Sequence, residues 1–415
     1  MPDRVREVPR RTGKFPGRDR GAARTEHRAA RLHALMSAAA ALVAAVGAAA
    51  VLTAGAGGDD RATAPPGPWA VERPVPLPDG TSAVAPSPSP SPAGRPHGPA
   101  AGASASPSPS AAPRSPKPSR APATGGASGL PALYRYPDSQ LLEWTAGHRE
   151  DPLRPVVESR IGSRPTAVWF TTYDPDTVTG RVAAVTRAAS AAGRTPVLVP
   201  YTIADRDCGG ASGGGAPDLG SYDTWMRAFA AGLGDGPVIV VLEPDAVADS
   251  DCLTADGRAA RFASLARAGR VLHAANPRAR VYYDGGHSAW NGAARQAELL
   301  RAAGAARYGD GIFTNVSNFR RTADEAAYAR RVLDALGGPP GLGAVIDTSR
   351  NGNGPPADDA WCDPQGRALG SAPTTRTGES RIDAYLWVKL PGESDGCSAE
   401  AGEFSAEYAY ALATG

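Results

Sequence analysis

Val238-Ile239-Val240-Val241-Leu242 runs without a break into Glu243-Pro244-Asp245. Four of the five apolar residues are β-branched, and the run is short enough to suit a strand covered on both faces. Two carboxylates follow where the strand stops. The pattern recurs along the chain. Strands are predicted at 167–172, 196–201, 238–242, 281–283, 312–315, 344–346 and 384–389. Ala- and Arg-rich stretches of helical period lie between them at 177–193, 222–233, 258–275, 289–303 and 322–336. Such alternation means parallel strands with crossover helices. About seven βα units predict a closed or nearly closed α/β barrel, with a doubly wound open sheet as the alternative.

Composition sets the limits of this block. Residues 61–130 hold 18 of the 40 prolines, and Trp69 is their only aromatic residue. That stretch cannot bury enough apolar surface to offset its ordering entropy. With Ser-Pro repeats at 87–92 and 106–110, residues 59–130 are expected to form a disordered, polyproline-II-rich spacer. Residues 1–34 carry ten basic and four acidic side chains, and residues 35–58 carry none. The apolar run reads as a signal-peptide core or a membrane anchor, with Ala54-Gly55-Ala56 as a small-residue cleavage site. Arg10-Arg11 lies far from that run, which weakens a twin-arginine reading. Either way the positive leader predicts that everything from residue 59 onward is extracytoplasmic, released or anchored.

The remaining block, 131–415, holds 28 basic and 34 acidic residues, a net charge of −6 within a chain of +2. An acidic domain argues against nucleic-acid binding. Its four cysteines, Cys208, Cys252, Cys362 and Cys397, are the only ones in the chain. Export makes disulfides the expected state. Of the three possible pairings the local one, 208–252 with 362–397, is preferred. Without CxxC spacing, and with His148, His273 and His287 as the block's only histidines, no metal or other cofactor is expected.

The chemistry follows the strands. The second runs into Arg206-Asp207-Cys208, the third into Glu243-Pro244-Asp245 and the fourth into Asp284-Gly285-Gly286-His287. The sixth runs into Asp347-Thr348-Ser349-Arg350-Asn351-Gly352, and the last into Pro391-Gly392-Glu393-Ser394-Asp395. In parallel α/β folds sites form at the carboxyl ends of strands. A single Asp there is usually a cap or turn residue, but five acidic segments on one rim are more than capping requires. Asp205, Asp249, Asp251, Asp358 and Asp359 are read as solvated loop residues. Trp169, Trp290 and Trp361 adjoin the polar loops and suit stacking against sugar faces. Trp225, in mid-helix, is read as core. The letters Gly210-Ala211-Ser212-Gly213-Gly214 match a nucleophile elbow, but they stand in a Gly-rich loop and not at a strand-to-helix turn. A Trp-lined, carboxylate-rich cleft points to glycoside hydrolysis, which needs one protonated acid and one carboxylate.

At this level of detail the block resembles glycoside hydrolase family 6, the cellulases and cellobiohydrolases, over about 133–412. The resemblance is carried by Tyr201 with Arg206-Asp207-Cys208, by Val241-Leu242-Glu243-Pro244-Asp245 and by Asp284-Gly285-Gly286-His287-Ser288-Ala289-Trp290. Further segments are Thr314-Asn315-Val316-Ser317-Asn318-Phe319, Ile346-Asp347-Thr348-Ser349-Arg350-Asn351-Gly352, Trp361-Cys362-Asp363-Pro364 and 386–397.

The resemblance implies a distorted seven-stranded parallel α/β barrel and inverting endo-β-1,4-glucanase activity. It implies Asp245 as general acid, Asp207 as the carboxylate that tunes it, and Asp395 as the proposed base. Asp284 is a further site carboxylate, Tyr201 stands beside the distorted sugar, and Ser212 helps to order the attacking water. Trp169, His287, Trp290, Asn318, Trp361, Lys389 and Glu393 fall on sugar-binding positions, and the family's disulfides match the local pairing. A second carboxylate near Asp245 is expected to raise its pKa by like-charge repulsion. The residues Gly213-Gly214-Gly215 are expected to loosen the loop that carries Ser212. Short loops between the cysteines predict an open cleft and endo cleavage, and the protein is expected to be a monomer. With no cellulose-binding module recognised, attack on crystalline cellulose is expected to be weak. The competing readings are hydrolysis of another β-linked cell-wall polysaccharide and a non-catalytic glycan-binding surface module.

Overall fold

The computed structural model describes residues 130–415. The basic leader, the apolar run 35–58 and the spacer up to residue 129 lie outside the described residues.

Seven strands form one sheet: β1 Val168–Phe170, β2 Val197–Pro200, β3 Val238–Leu242, β4 Ala279–Asp284, β5 Gly311–Thr314, β6 Gly343–Asp347 and β7 Ile382–Leu386. Every pair is parallel, and the spatial order is the chain order. A doubly wound sheet reverses its order at a switch point; this sheet does not, so the barrel reading holds. Closure is incomplete. Between β1 and β7 the seam is crossed by Ala167 N donating to Trp387 O at 3.0 Å and by the Trp169 indole donating to Val388 O at 2.8 Å.

Alternation along the strands divides the core. Val197, Val199, Ile239, Val241, Tyr282, Phe313, Val345, Ala384 and Leu386 fill one cluster with Leu133 and Val388. Their partners Leu198, Val238, Val240, Leu242, Val281, Tyr283, Ile312, Ala344 and Ile346 face the helices in another. The first set fills the barrel lumen and the second carries the sheath, as in other packed barrels.

The helices are α1 Gln140–Gly147, α2 Arg154–Val157, α3 Val178–Ala191, α4 Leu219–Ala231, α5 Ala255–Ala275, α6 Ala293–Ala302, α7 Ala305–Tyr308, α8 Thr322–Leu336 and α9 Ala406–Thr414. Side-chain caps move some starts away from the sequence reading. Asp218 accepts from Ser221 N at 2.7 Å and Thr254 from Gly257 N at 3.1 Å. These caps begin α4 and α5 three residues earlier than their apolar periodicity suggests. In contrast, α6 begins late, because residues 287–290 close a turn with Trp290 N on His287 O at 2.9 Å. The last strand also shifts, to Ile382–Leu386. Beyond it, Val388 N and Lys389 N turn to the Asp347 carboxylate at 3.3 and 3.1 Å instead of to a neighbouring strand.

Candidate active site

Three carboxylates sit where a strand ends, and all three are buried: Glu243 directly after β3, Asp284 ending β4 and Asp347 ending β6. Each is saturated by backbone amides. Glu243 accepts from Thr202 N at 2.9 Å and Ile203 N at 3.0 Å. Asp284 accepts from Val247, Ala248 and Gly286 at 3.0, 2.7 and 2.8 Å. Asp347 accepts from Ser317, Ser349, Val388 and Lys389. Loop amides have no sheet partner at a barrel rim, and a carboxylate supplies several acceptors at once. These three groups fasten the loops that bear the exposed functional side chains. Glu325 on α8 does the same for the His287–Trp290 turn, accepting from Ser288 N at 2.8 Å.

Asp245 differs. It stands three residues beyond the strand, at φ +69, and keeps part of its surface open. Left-handed non-Gly residues are uncommon and gather at functional sites. Here Asp207, Glu243, Asp245, Asn315 and Ser317 all adopt that conformation on the same rim. Burial pushes the Asp245 carboxyl well above the ordinary aspartate range, and the charges of Asp284, Asp207 and Asp249 push it further. Like-charge repulsion is therefore real but second to desolvation. Burial also raises Asp284, to about 6, against the amides that stabilise its charge. Asp249 corrects the sequence reading. It is half-buried and close enough to raise both carboxyls, so it is not a freely solvated residue.

The loop after β2 packs beside Asp245. The Tyr201 hydroxyl is 2.7 Å from Ser212 Oγ, and the Ser212 amide donates to Asp207 Oδ2 at 2.7 Å. Arg206 lies over the Tyr201 ring at 4.6 Å and donates from Nε to Ser212 O at 2.7 Å. Trp169 meets Tyr201 edge to face at 5.4 Å. Burial, then Asp245, raises the Tyr201 phenol, so it stays protonated. The glycines here do not simply loosen the loop. Gly215 has φ +100, and a Cβ on it would lie 2.0 Å from Ile203 O. Close approach to the preceding strand end requires glycine at that position.

Asp395 belongs to a second, salt-bridged group. Its Oδ2 is 2.6 Å from Arg350 Nη1, and its Oδ1 is 3.0 Å from Lys389 Nζ. Lys389 also pairs with Glu393 at 3.0 Å. Burial alone would lower the Lys389 ammonium, but Glu393 and Asp395 outweigh it and raise it. The disulfides are Cys208–Cys252 and Cys362–Cys397, the local pairing.

The aromatic positions divide. Trp290 and Trp361 are 40% and 53% exposed, free to receive a ligand face. His287 lies 5.3 Å from Trp290, and burial, then Arg320, holds its imidazole neutral with a pKa of about 4. The Asn318 side chain closes on its own loop, Oδ1 accepting from Phe319 N at 3.1 Å. Trp225 and Trp387 are buried core. Among the described residues, no group of three or more His, Cys, Asp or Glu side chains is placed to hold a metal ion.

Glu243, Asp347, Arg350 and Asp363 stand in the sequence motifs, but no role is legible for them there. Position was the usable signal. A carboxylate at the strand's last residue, or the next, remains in the sheet and turns to amides. One placed further along can enter the cleft.

The profile of glycosyl hydrolases family 6 matches residues 139–414. Endoglucanase 1 of Streptomyces sp. (strain KSM-9) is 52% identical over 295 residues, covering 71% of this chain and 81% of that protein. Endoglucanase A of Thermobispora bispora is 47% identical over 282 residues, covering 68% of this chain but only 61% of that longer protein. Among solved structures, the endoglucanase Cel6 from Mycobacterium tuberculosis was determined with methyl-cellobiosyl-4-deoxy-4-thio-β-D-cellobioside. It superposes with a TM-score of 0.64 at 40% identity, covering 69% of this chain and 97% of that one.

Proposed function

Because the chain belongs to family 6 of the glycosyl hydrolases, and is thus a glycoside hydrolase of the cellulase type, we propose that it is an exported, inverting endo-β-1,4-glucanase. The observation that carries the mechanism is the contrast between Asp245 and Asp395. The first has its carboxyl pushed well above the ordinary aspartate range by burial and by three carboxylate neighbours, which favours the protonated form. The second is held between two cations. Asp245 gives its proton to the departing glycosidic oxygen. Water attacks the anomeric carbon from the opposite face, with its proton drawn off toward Asp395, and the configuration inverts.

Asp207 and Ser212 order the water side of the cleft, and Asp207 adds to the charge that raises Asp245. Tyr201 packs against the ring at the cleavage point, with Trp169 behind it. Trp290, Trp361 and His287 offer stacking and polar contacts to glucose units on either side, with Asn318, Lys389 and Glu393 completing the polar set. The exposure of both tryptophans favours an open cleft, and hence internal cleavage of a single chain. Two disulfides in the catalytic block, together with the apolar run 35–58 of the sequence, support action outside the cytoplasm.

A panel of soluble β-glucans with product sizing tests the substrate, and NMR of the first-formed anomer tests inversion. An early fall in the viscosity of soluble carboxymethylcellulose is expected relative to reducing ends released. Reducing ends without loss of viscosity would refute endo action, and a β-configured first product would refute inversion.

A further inference from the structure

Residues 394–398 turn back sharply around Asp395, and the turn is built on a side chain from another loop. The Asp363 carboxylate accepts from Asp395 N at 2.8 Å, Cys397 N at 3.1 Å and Ser398 N at 2.9 Å. It also accepts from the hydroxyls of Ser394 and Ser398 at 2.6 and 2.9 Å. In return Asp363 N donates to Asp395 Oδ2 at 3.3 Å. The clasp is reciprocal, since the backbone amide of each aspartate is held by the carboxylate of the other.

Asp363 is 4% exposed and takes the left-handed conformation, φ +42. Burial would raise its carboxyl, but the Ser394 hydroxyl and the loop amides bring it down to about 2, so it is a fixed anion. The neighbouring disulfide, Cys362–Cys397, keeps the two loops together. It is attached at Cys397, and Gly396 at φ +113 stands between that point and Asp395. A covalent link one glycine away limits distance but leaves the backbone orientation of Asp395 free. The hydrogen bond that Asp395 N donates to the Asp363 carboxylate removes that freedom.

We propose that Asp363 is a positioning residue for hydrolysis, holding Asp395 in the orientation from which it receives the proton of the attacking water. The inference rests on the reading of Asp395 as the base-side carboxylate. Replacing Asp363 by Asn keeps the volume but turns one acceptor oxygen into an NH2 group facing amide donors. The 394–398 turn must then shift, and Asp395 with it.

The test is steady-state hydrolysis of soluble β-glucan by four forms of the full chain: parent, Asp363→Asn, Asp395→Asn and the double variant. Asp363→Asn is expected to lower kcat about 10–100-fold with KM within about twofold, the scale of a small misplacement. In the Asp395→Asn background the same change is expected to cost less than about twofold, because coupled sites are not additive. Multiplying losses in the double variant would overturn the inference, as would an Asp363→Asn enzyme that loses melting temperature but keeps its kcat. If Asp395→Asn is impaired and Asp363→Asn is not, the clasp alone falls. If Asp395→Asn is unimpaired, the base-side reading falls and the inference falls with it. Should Asp363→Asn not fold, Ser394→Ala takes its place in the same four-way comparison. It removes one donor to Asp363, with an expected loss of about 3–10-fold in the parent and little in the Asp395→Asn background.

Discussion

Arg350 Nη1 lies 2.6 Å from Asp395 Oδ2, and the guanidinium is fully buried. The same guanidinium reaches the Tyr408 hydroxyl at 3.2 Å and lies 4.5 Å from the centre of the Phe319 ring. A planar fork can serve all three partners, and an ammonium cannot. Arg350→Lys is therefore expected to leave the carboxylate badly placed and to cost about 3–5 kcal/mol of stability, the scale for breaking a buried pair. Denaturant unfolding measures the stability, and glucan hydrolysis measures the displaced Asp395.

Asp245→Asn separates acid catalysis from binding. General acid catalysis contributes typically about 10²–10⁴-fold, and glucan hydrolysis should fall by that factor. A dinitrophenyl cellobioside leaves without a proton, so its cleavage should survive far better. Asp395→Asn should impair both substrates, because attack by water is common to them. Equal losses on both substrates for Asp245→Asn would remove it from the acid role.

The pH profile should report the Asp245 neighbourhood. Its carboxyl is pushed well above the ordinary aspartate range, so with Asp245 as the proposed acid, activity is expected to be lost as pH rises through that raised value. Asp249 is one of the charges that raise it. Asp249→Asn is expected to move the basic limb of kcat to lower pH, by about 0.3–1 unit. An unmoved limb would show that the Asp249 charge does not help to set the value.

On the far side of the molecule, His273 Nε2 is 2.9 Å from Asp310 Oδ2. The Asp310 hydrogen bond raises the imidazole above its ordinary 6.5, although burial acts the other way. The resulting stability is fully present below the unfolded value of about 6.5 and is lost as pH rises through the higher folded value. His273→Gln should flatten the rise of melting temperature between pH 8 and pH 6. The difference is expected to be about 1–3 °C, since the pair is partly exposed.

The disulfides should differ in their effect. Each closes a loop expected to contribute about 3–4 kcal/mol. Asp363 holds the loop at Cys397 independently of sulfur, through five donors. The loop at Cys208 has no carboxylate with as many donors: Arg206 reaches Ser212 O, Ser212 N reaches Asp207, and the Tyr201 hydroxyl meets Ser212 Oγ. Cys208→Ser with Cys252→Ser is thus expected to lose more activity than Cys362→Ser with Cys397→Ser, at a temperature where both stay folded. Equal activity losses would count against a loop-holding role for Asp363.

Much of the molecule is legible in order along the chain. Val238–Leu242 and Thr322–Leu336 have the predicted bounds, because each is one apolar pattern closed by a clear stop. The last strand is displaced because Asp347, some forty residues earlier, captures the amides of Val388 and Lys389. No local pattern carries that competition. Similarly, Asp249 has the letters of a solvated loop, and only folding brings it against Asp245 and Asp284.

What the sequence determined by itself is the set of strands and their parallel succession, since period and length are local properties of side chains. With them came the rim on which the acidic segments gather. The division of labour among those acids was decided by tertiary structure. Glu243, Asp284, Asp347 and Asp363 meet backbone amides and act as fasteners. Asp245 meets other carboxylates in a buried setting, and Asp395 meets two cations. A carboxyl group has the same chemistry wherever it stands in the chain. Its protonation and its role depend on solvation and on neighbours within a few ångströms, and those neighbours come from strands far apart in sequence.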